Sequence, residues 1–261
     1  MPRIDRHEPG TFCWAELAAG NGPEAKSFYS EMFGWESIDN SMGEAGIYTM
    51  LRLHGAEIGA LYAMGPEEAA RGIPPHWNCY VSVERADETV ETVKANGGIV
   101  LAGPFDVMDA GRMAVLQDPA GAAFSVWQPK IQVGTKVIGE AGAPCWYENL
   151  SRDAGTAARF YKDVFGWTTK QDPVKSDYTE LFLGKEAVGG LMPITPEMGP
   201  MPSSWGVYFQ VDDCDAAAAK AKALGGKIMK PPADVEEAGR FAVLMDPHGA
   251  MFSIIRPNKP R

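Results

Sequence analysis

Glu16 and Glu148 are the carboxylates of this chain best placed to do chemistry. Each follows a tryptophan by two positions, Trp14 and Trp146, and the two pairs stand 132 residues apart. On a strand, residues i and i+2 share a face, so each glutamate lies on the same side of the chain as an indole. A carboxylate in a mostly apolar cavity has a raised pKa and can serve as a general base. The alternative is a structural acceptor for buried backbone, tyrosine or arginine donors. Arg112 and Arg240 recur in matching "AGR" segments. They either clamp an anionic ligand or form ion pairs, with Glu16 and Glu148 as candidate partners.

The remaining reactive residue types are scattered. His7, His54, His76 and His248 do not repeat along the chain, and the spacing of Cys13, Cys79, Cys145 and Cys214 contains no CxxC pair. The cysteines read as reduced, half-buried thiols of a cytoplasmic protein. A net charge of −10 without any Lys/Arg cluster argues against a nucleic-acid or anionic-membrane partner. No apolar run approaches the length of a membrane span.

The elements that position the glutamates are written twice. "FYSEMFGW" at 28–35 returns as "FYKDVFGW" at 160–167, and "DAGRMAVLQDPAGAAFSVWQP" at 109–129 returns as "EAGRFAVLMDPHGAMFSIIRP" at 237–257. The offset drifts from 132 through 130 to 128, only within loop-like stretches. The chain is therefore a tandem duplication, with copies at 1–129 and 142–261 and a linker at 130–141. Each copy is expected to be a domain with its own core. In the first, "TFCWAEL" is a strand and 21–35 a helix, with Asn21 as N-cap and Gly34 as its stop. Its stripe of Ala25, Phe28, Tyr29 and Met32 is repeated as Ala157, Phe160, Tyr161 and Val164. The octet thus reads as packing against a sheet. Two strand-like runs follow, "IYTMLRL" and "AEIGALYAM". A strand at 77–83, a helix at 86–98 and three more strands complete the copy. Loops at 65–76 and 193–204 join the halves, as stiff connections or as lids over a cavity mouth.

This order of elements, with "FY…FGW" closing the first helix and "GRxAVLxDPxG" before the last strand, resembles the vicinal oxygen chelate superfamily: glyoxalases, bleomycin-resistance proteins and extradiol dioxygenases. In detail the chain is similar to two-domain, lactoylglutathione-lyase-related proteins of bacteria. The resemblance implies an α+β fold of four βαβββ units, paired into two incomplete β-barrels with helices outside and one cavity each. It also implies a divalent metal held by His and Glu on the first and last strands of each unit. The matching positions are Trp14, Ala60, Asn78 and Ser125 in the first copy and Trp146, Gly190, Gly206 and Ser253 in the second. None is His, Asp, Glu or Cys, so no metal and no other cofactor is expected. A shift of two along the first strand would bring in Glu16 and Glu148, and a divalent metal stays open as the alternative.

Alternation places Trp14, Tyr48, Asn78, Tyr80, Ser125 and Trp127 in the first cavity. It places Trp146, Tyr178, Tyr208 and Ser253 in the second, which reads as roomier and less polar. Aromatic walls with few polar groups suit a flat organic ligand, and equally a filled barrel. The expectation is a binder of a small organic molecule, as a monomer or homodimer. The alternative is an enzyme of the glyoxalase or dioxygenase type, a lyase or oxygenase, using Glu16 or Glu148 or an atypical metal. A scaffold for other proteins is a third reading.

Overall fold

The structure, a computed structural model, describes residues 3–171 and 177–259. The first copy runs β1 (Phe12–Ala19), α1 (Gly22–Phe33), β2 (Glu36–Ser41), β3 (Ile47–Leu53), β4 (Ala56–Ala63) and a short α2 (Pro66–Ala70). Then come β5 (His76–Ser82), α3 (Ala86–Ala95), β6 (Ile99–Val107), β7 (Gly111–Gln117) and β8 (Ala123–Pro129). The second copy holds β9 (Pro144–Ser151), α4 (Ala154–Phe165), β10 (Thr168–Gln171), β11 (Thr179–Leu183) and β12 (Glu186–Pro193). It ends with β13 (Ser204–Gln210), α5 (Cys214–Ala223), β14 (Lys227–Val235), β15 (Gly239–Met245) and β16 (Met251–Pro257).

Each copy forms one eight-stranded mixed sheet, ordered β2-β3-β4-β1-β5-β8-β7-β6 and β10-β11-β12-β9-β13-β16-β15-β14. The two βαβββ units of a copy meet where their first strands pair antiparallel, β1 with β5 and β9 with β13. The sheets are not closed, so each makes an incomplete barrel with a concave and a convex face. β2 and β10 are strands that the hydrophobic pattern does not announce. Every residue of "ESIDNS" and "TTKQ" is exposed. They are edge strands extended by pairing with β3 and β11 rather than by burial.

Helix α1 starts where the Asn21 side chain accepts from the Glu24 amide, and it stops at left-handed Gly34, φ 73°. Asp153 and Gly166 do the same for α4. The buried face of α1 is Ala25, Phe28, Tyr29 and Met32, as the spacing predicts; in α4, Ala157, Phe160 and Tyr161 are buried.

The expectation of a separate core in each copy is corrected. One hydrophobic core runs through both copies, across the convex faces of the sheets. Phe12 and Tyr147 stack at 4.1 Å between ring centres, and Phe33 packs on Phe209 at 5.1 Å. A bulge between Phe12 and Trp14 lets Phe12 face this core while Trp14 faces the concavity. The octet docks on the other copy as well as its own. Trp35 Nε1 donates to the Gly142 carbonyl at 2.8 Å, and Trp167 Nε1 donates to the Gly10 carbonyl at 2.7 Å. The tryptophan of each octet thus makes the same kind of contact with the other copy.

The linker is also more than a tether. Its first half is strapped to the first copy, with the Thr135 amide on the Cys13 carbonyl at 2.7 Å and the Lys136 amide on the Glu57 carbonyl at 2.8 Å. No helix among the described residues is long and apolar enough to cross a membrane.

Candidate ligand-binding concavities

Glu16 stands at the centre of the first concave face. Register places it directly beside Ala60 on β4 and Asn78 on β5. The position next to these two strand sites is therefore Glu16 rather than Trp14. Its carboxylate accepts from two tyrosines, Tyr48 Oη to Oε2 at 2.7 Å and Tyr80 Oη to Oε1 at 2.9 Å. Glu16 is 9% exposed. Burial pushes its carboxyl above the usual range, and the two tyrosine donors pull it partly back. Asn78 Nδ2 donates to Ser125 Oγ at 2.8 Å. Trp14, Tyr80 and Trp127 are buried together with Cys13 and Ala60, and Tyr48, Met50 and Met113 pack on them. The Trp127 indole donates to the Gln132 carbonyl of the linker at 2.8 Å. The first concavity is thus lined by its own aromatics, one of which is tied to the strap.

The second concavity repeats the geometry and relaxes it. Glu148 lies beside Gly190 and Gly206 in register, and its Oε1 accepts from Tyr208 Oη at 2.9 Å. Trp146 Nε1 donates to Tyr178 Oη at 3.0 Å. Trp146, Glu148 and Tyr178 are half-buried, and Ile255 replaces Trp127. Tyr178 fills the space over Gly190: a β-carbon there would overlap its hydroxyl. Among the described residues, a β-carbon on Gly206 would meet only the Glu148 carbonyl, at 3.9 Å.

Sequence reasoning missed one member of this face. Glu180 pairs in register with Gly190, so Lys170, Glu180, Gly190, Glu148 and Gly206 form one cross-strand row. The corresponding row of the first copy is Ile38, Met50, Ala60, Glu16 and Asn78. The second row has Gly206 where the first has Asn78, but it is more charged rather than less polar. The exchange of Met50 for Glu180 at the 130-residue offset was the available signal.

Arg112 and Arg240 are not in the concavities. They lie on the convex side, where Arg112 binds Asp87 of α3 at 2.7 and 2.9 Å and Arg240 binds Asp215 of α5 at 2.6 and 2.8 Å. They pair with helix carboxylates, not with Glu16 or Glu148, because their neighbours Ala114 and Ala242 share that buried side. The joining loops are pinned. Glu68 accepts from the Gly65 amide and from Tyr62, both at 2.9 Å, and Ser203 Oγ donates to the Ala120 carbonyl at 2.7 Å. The histidines lie apart, His7 on the Thr135 carbonyl and His248 on Glu24. Burial pushes the Cys13 and Cys79 thiols far above their usual range, which makes them inert.

Among the described residues the donor set does not fit a catalytic divalent ion. The first row offers Glu16 beside Met50, Ala60 and Asn78, and the second offers Glu148 and Glu180 beside Lys170, Gly190 and Gly206. Among the described residues no three His, Cys, Asp or Glu side chains converge. Three such protein ligands are the usual minimum for a catalytic zinc-type site.

The sequence pattern of the Glyoxalase/Bleomycin resistance protein/Dioxygenase superfamily matches residues 11–126 and 148–254. The chain belongs to that superfamily. A relative from Mycobacterium tuberculosis, named "Putative glyoxylase CFP32", is 41% identical over 98% of both chains. "Anthracycline biosynthesis protein DnrV" of Streptomyces peucetius is 34% identical over 97% of this chain and 95% of its own. The superfamily fold is also that of the Mn(II)-bound glyoxalase from Novosphingobium aromaticivorans, with TM-score 0.65, 16% identity and coverage of 97% and 86%. The 2,3-dioxygenase LapB from Pseudomonas sp. KL28 gives TM-score 0.68, 10% identity and coverage of 100% and 95%.

Proposed function

We propose that the chain binds a small, flat organic molecule in its sheet concavities and does so without the divalent metal of its superfamily. The observation that carries this is the tyrosine clamp on Glu16. Where a cation would need neighbouring ligands, the carboxylate instead takes hydroxyl donors from Tyr48 and Tyr80. Trp14 and Trp127 in one copy, and Trp146 and Tyr178 in the other, supply faces for stacking. The relatives named for anthracycline biosynthesis are compatible with a role in handling organic molecules. The test is metal content in protein purified without chelators or a His-tag. Less than a tenth of an ion per chain is expected; about one ion per concavity, lost with activity on chelation, would sink the reading.

A second reading is a lyase of the glyoxalase type acting on a small carbonyl compound. It is favoured by the raised pKa of Glu16, which suits a general base, and by the relative named as a glyoxylase. Its test is the double variant Glu16→Gln with Glu148→Gln. Turnover of a 2-oxoaldehyde that disappears while the fold is kept supports the lyase, and no turnover in either form removes it.

A further inference from the structure

We propose that the first concave face is the one that receives a ligand, and that it takes an uncharged, planar ring system carrying one hydrogen-bond donor for Asn78. This rests on the metal-free binding reading above and goes beyond it in naming the copy, the ligand class and the anchoring residue.

Matched strand positions of the two concave faces differ mainly in charge. In the row through Glu16, Ile38 and Met50 stand where the second copy has Lys170 and Glu180. In the row that joins Trp14, Tyr80 and Ser125, Ala102 stands where the second copy has Lys230. The next row pairs Phe105, Met113 and Trp127. The one charged side chain in these three rows is Glu16, and both of its oxygens already accept from tyrosines. A charged ligand group would lose water there without meeting an opposite charge. In the second copy Lys230 lies 4.5 Å above the ring of Phe241, which stands at the place of Met113.

The apolar groups of the first face are exposed around a buried aromatic floor. Ile38 and Phe105 are 41% and 44% exposed, on opposite sides of Trp14, Tyr80 and Trp127. Met50 and Met113, both half-buried, pack on that floor and can adapt to a ring laid against them. Apolar side chains left to water around a concave aromatic floor mark a binding face, and the curvature suits a small flat molecule.

Asn78 supplies the polar contact. Its Nδ2 donates to Ser125 Oγ at 2.8 Å, which fixes the carboxamide, and its Oδ1 accepts from no donor among the described residues. It is half-buried and adjoins Glu16 in register. A carboxamide oxygen accepts and cannot donate, so it selects a hydroxyl or amino hydrogen on the ligand. The second copy has Gly206 at this place and therefore no side-chain acceptor.

The test uses the full chain and four naphthalenes with one ring system. 2-Naphthol is neutral and carries the donor, and 2-methoxynaphthalene lacks it. 2-Naphthoate and 2-naphthylmethylammonium add a charge of either sign, so the net charge of the chain favours one and opposes the other. Binding is followed by calorimetry and by tryptophan fluorescence. One 2-naphthol per chain is expected, with the other three each about tenfold weaker or worse. Ile38→Lys with Met50→Glu, which copies the second row into the first, should weaken 2-naphthol by about tenfold or more. Ile38→Lys alone alters an exposed position and gives a smaller loss in a variant expected to fold. Asn78→Ala should abolish the preference for 2-naphthol over its methyl ether. Two molecules per chain, full affinity in the Ile38 and Met50 variants, equal affinity for either charged ring, or no binding by about 1 mM would each overturn the inference. Failure of the metal-free reading is distinguished because it shows as bound metal, whatever the naphthalenes do.

Discussion

Tyr161 Oη donates to Asp118 Oδ2 at 2.9 Å, and through that bond the first helix of the second copy holds the last turn of the first copy. The same pair exists in reverse, Tyr29 to Asp246 at 3.3 Å. Each tyrosine also accepts from a tryptophan of its own copy, Trp205 at 2.7 Å and Trp77 at 3.0 Å. Each aspartate uses its other oxygen to close its own turn, on the Ala122 and Ala250 amides at 2.9 Å. The tyrosine of the octet and the aspartate of "DPxG" are therefore two halves of one buried network.

Removing either tyrosine hydroxyl strands a buried indole donor and a buried carboxylate oxygen. Tyr161→Phe is expected to cost about 1–3 kcal/mol. Tyr29→Phe should cost less, because both of its bonds are longer. Urea unfolding with an unchanged m-value checks this, and equal stability to the parent would refute it.

Asn149 carries an opposite lesson. It is 0% exposed, and among the described residues neither its amide nitrogen nor its oxygen has a hydrogen-bond partner. The first copy has Leu17 at this place, fully buried in the core. Asn149→Leu should therefore stabilise the protein by about 1–3 kcal/mol. A calorimetric Tm that stays level or falls would count against it.

Glu16 imposes a pH dependence whose sign follows from burial. Its folded pKa is raised, so between the ordinary glutamate value of 4.5 and the folded value the native state holds more protons than the unfolded chain. Stability from this group is greatest below 4.5 and falls as pH rises through that window. Glu16→Gln lacks the term. Its stability relative to the parent should rise with pH above 4.5 and then level off. Thermal melts of both proteins from pH 4 to pH 8 measure the difference, and a flat difference would exclude an up-shifted Glu16.

The shared core predicts that a single copy cannot stand alone. Residues 1–141 by themselves would expose Phe12, Tyr29, Phe33 and Phe124, which now meet rings or carboxylates of the second copy. The fragment should aggregate, or pair with itself so that Tyr29 of one molecule meets Asp118 of another. Sedimentation decides, and a monomer that melts cooperatively would contradict the shared core.

Much of this was fixed by local pattern. The duplication, the helix boundaries at Asn21 and Gly34 and the buried stripe from Ala25 to Met32 follow from self-similarity, periodicity and capping, which are read along the chain; the exposed second strand of each copy's first unit, β2 and β10, is supplied by pairing. Glu16, Tyr48, Tyr80, Asn78 and Ser125 were legible as one face because strand alternation sorts residues by parity. Register was not legible. It is set by pairing between strands far apart in sequence, and it decided that Glu16 rather than Trp14 adjoins Ala60 and Asn78, and that Glu180 joins Glu148. The placement of Arg112 and Arg240 on the helices, the strap over the first concavity and the Tyr161–Asp118 bond are likewise tertiary. They depend on which convex face meets which, and a sequence read one copy at a time carries no term for that contact.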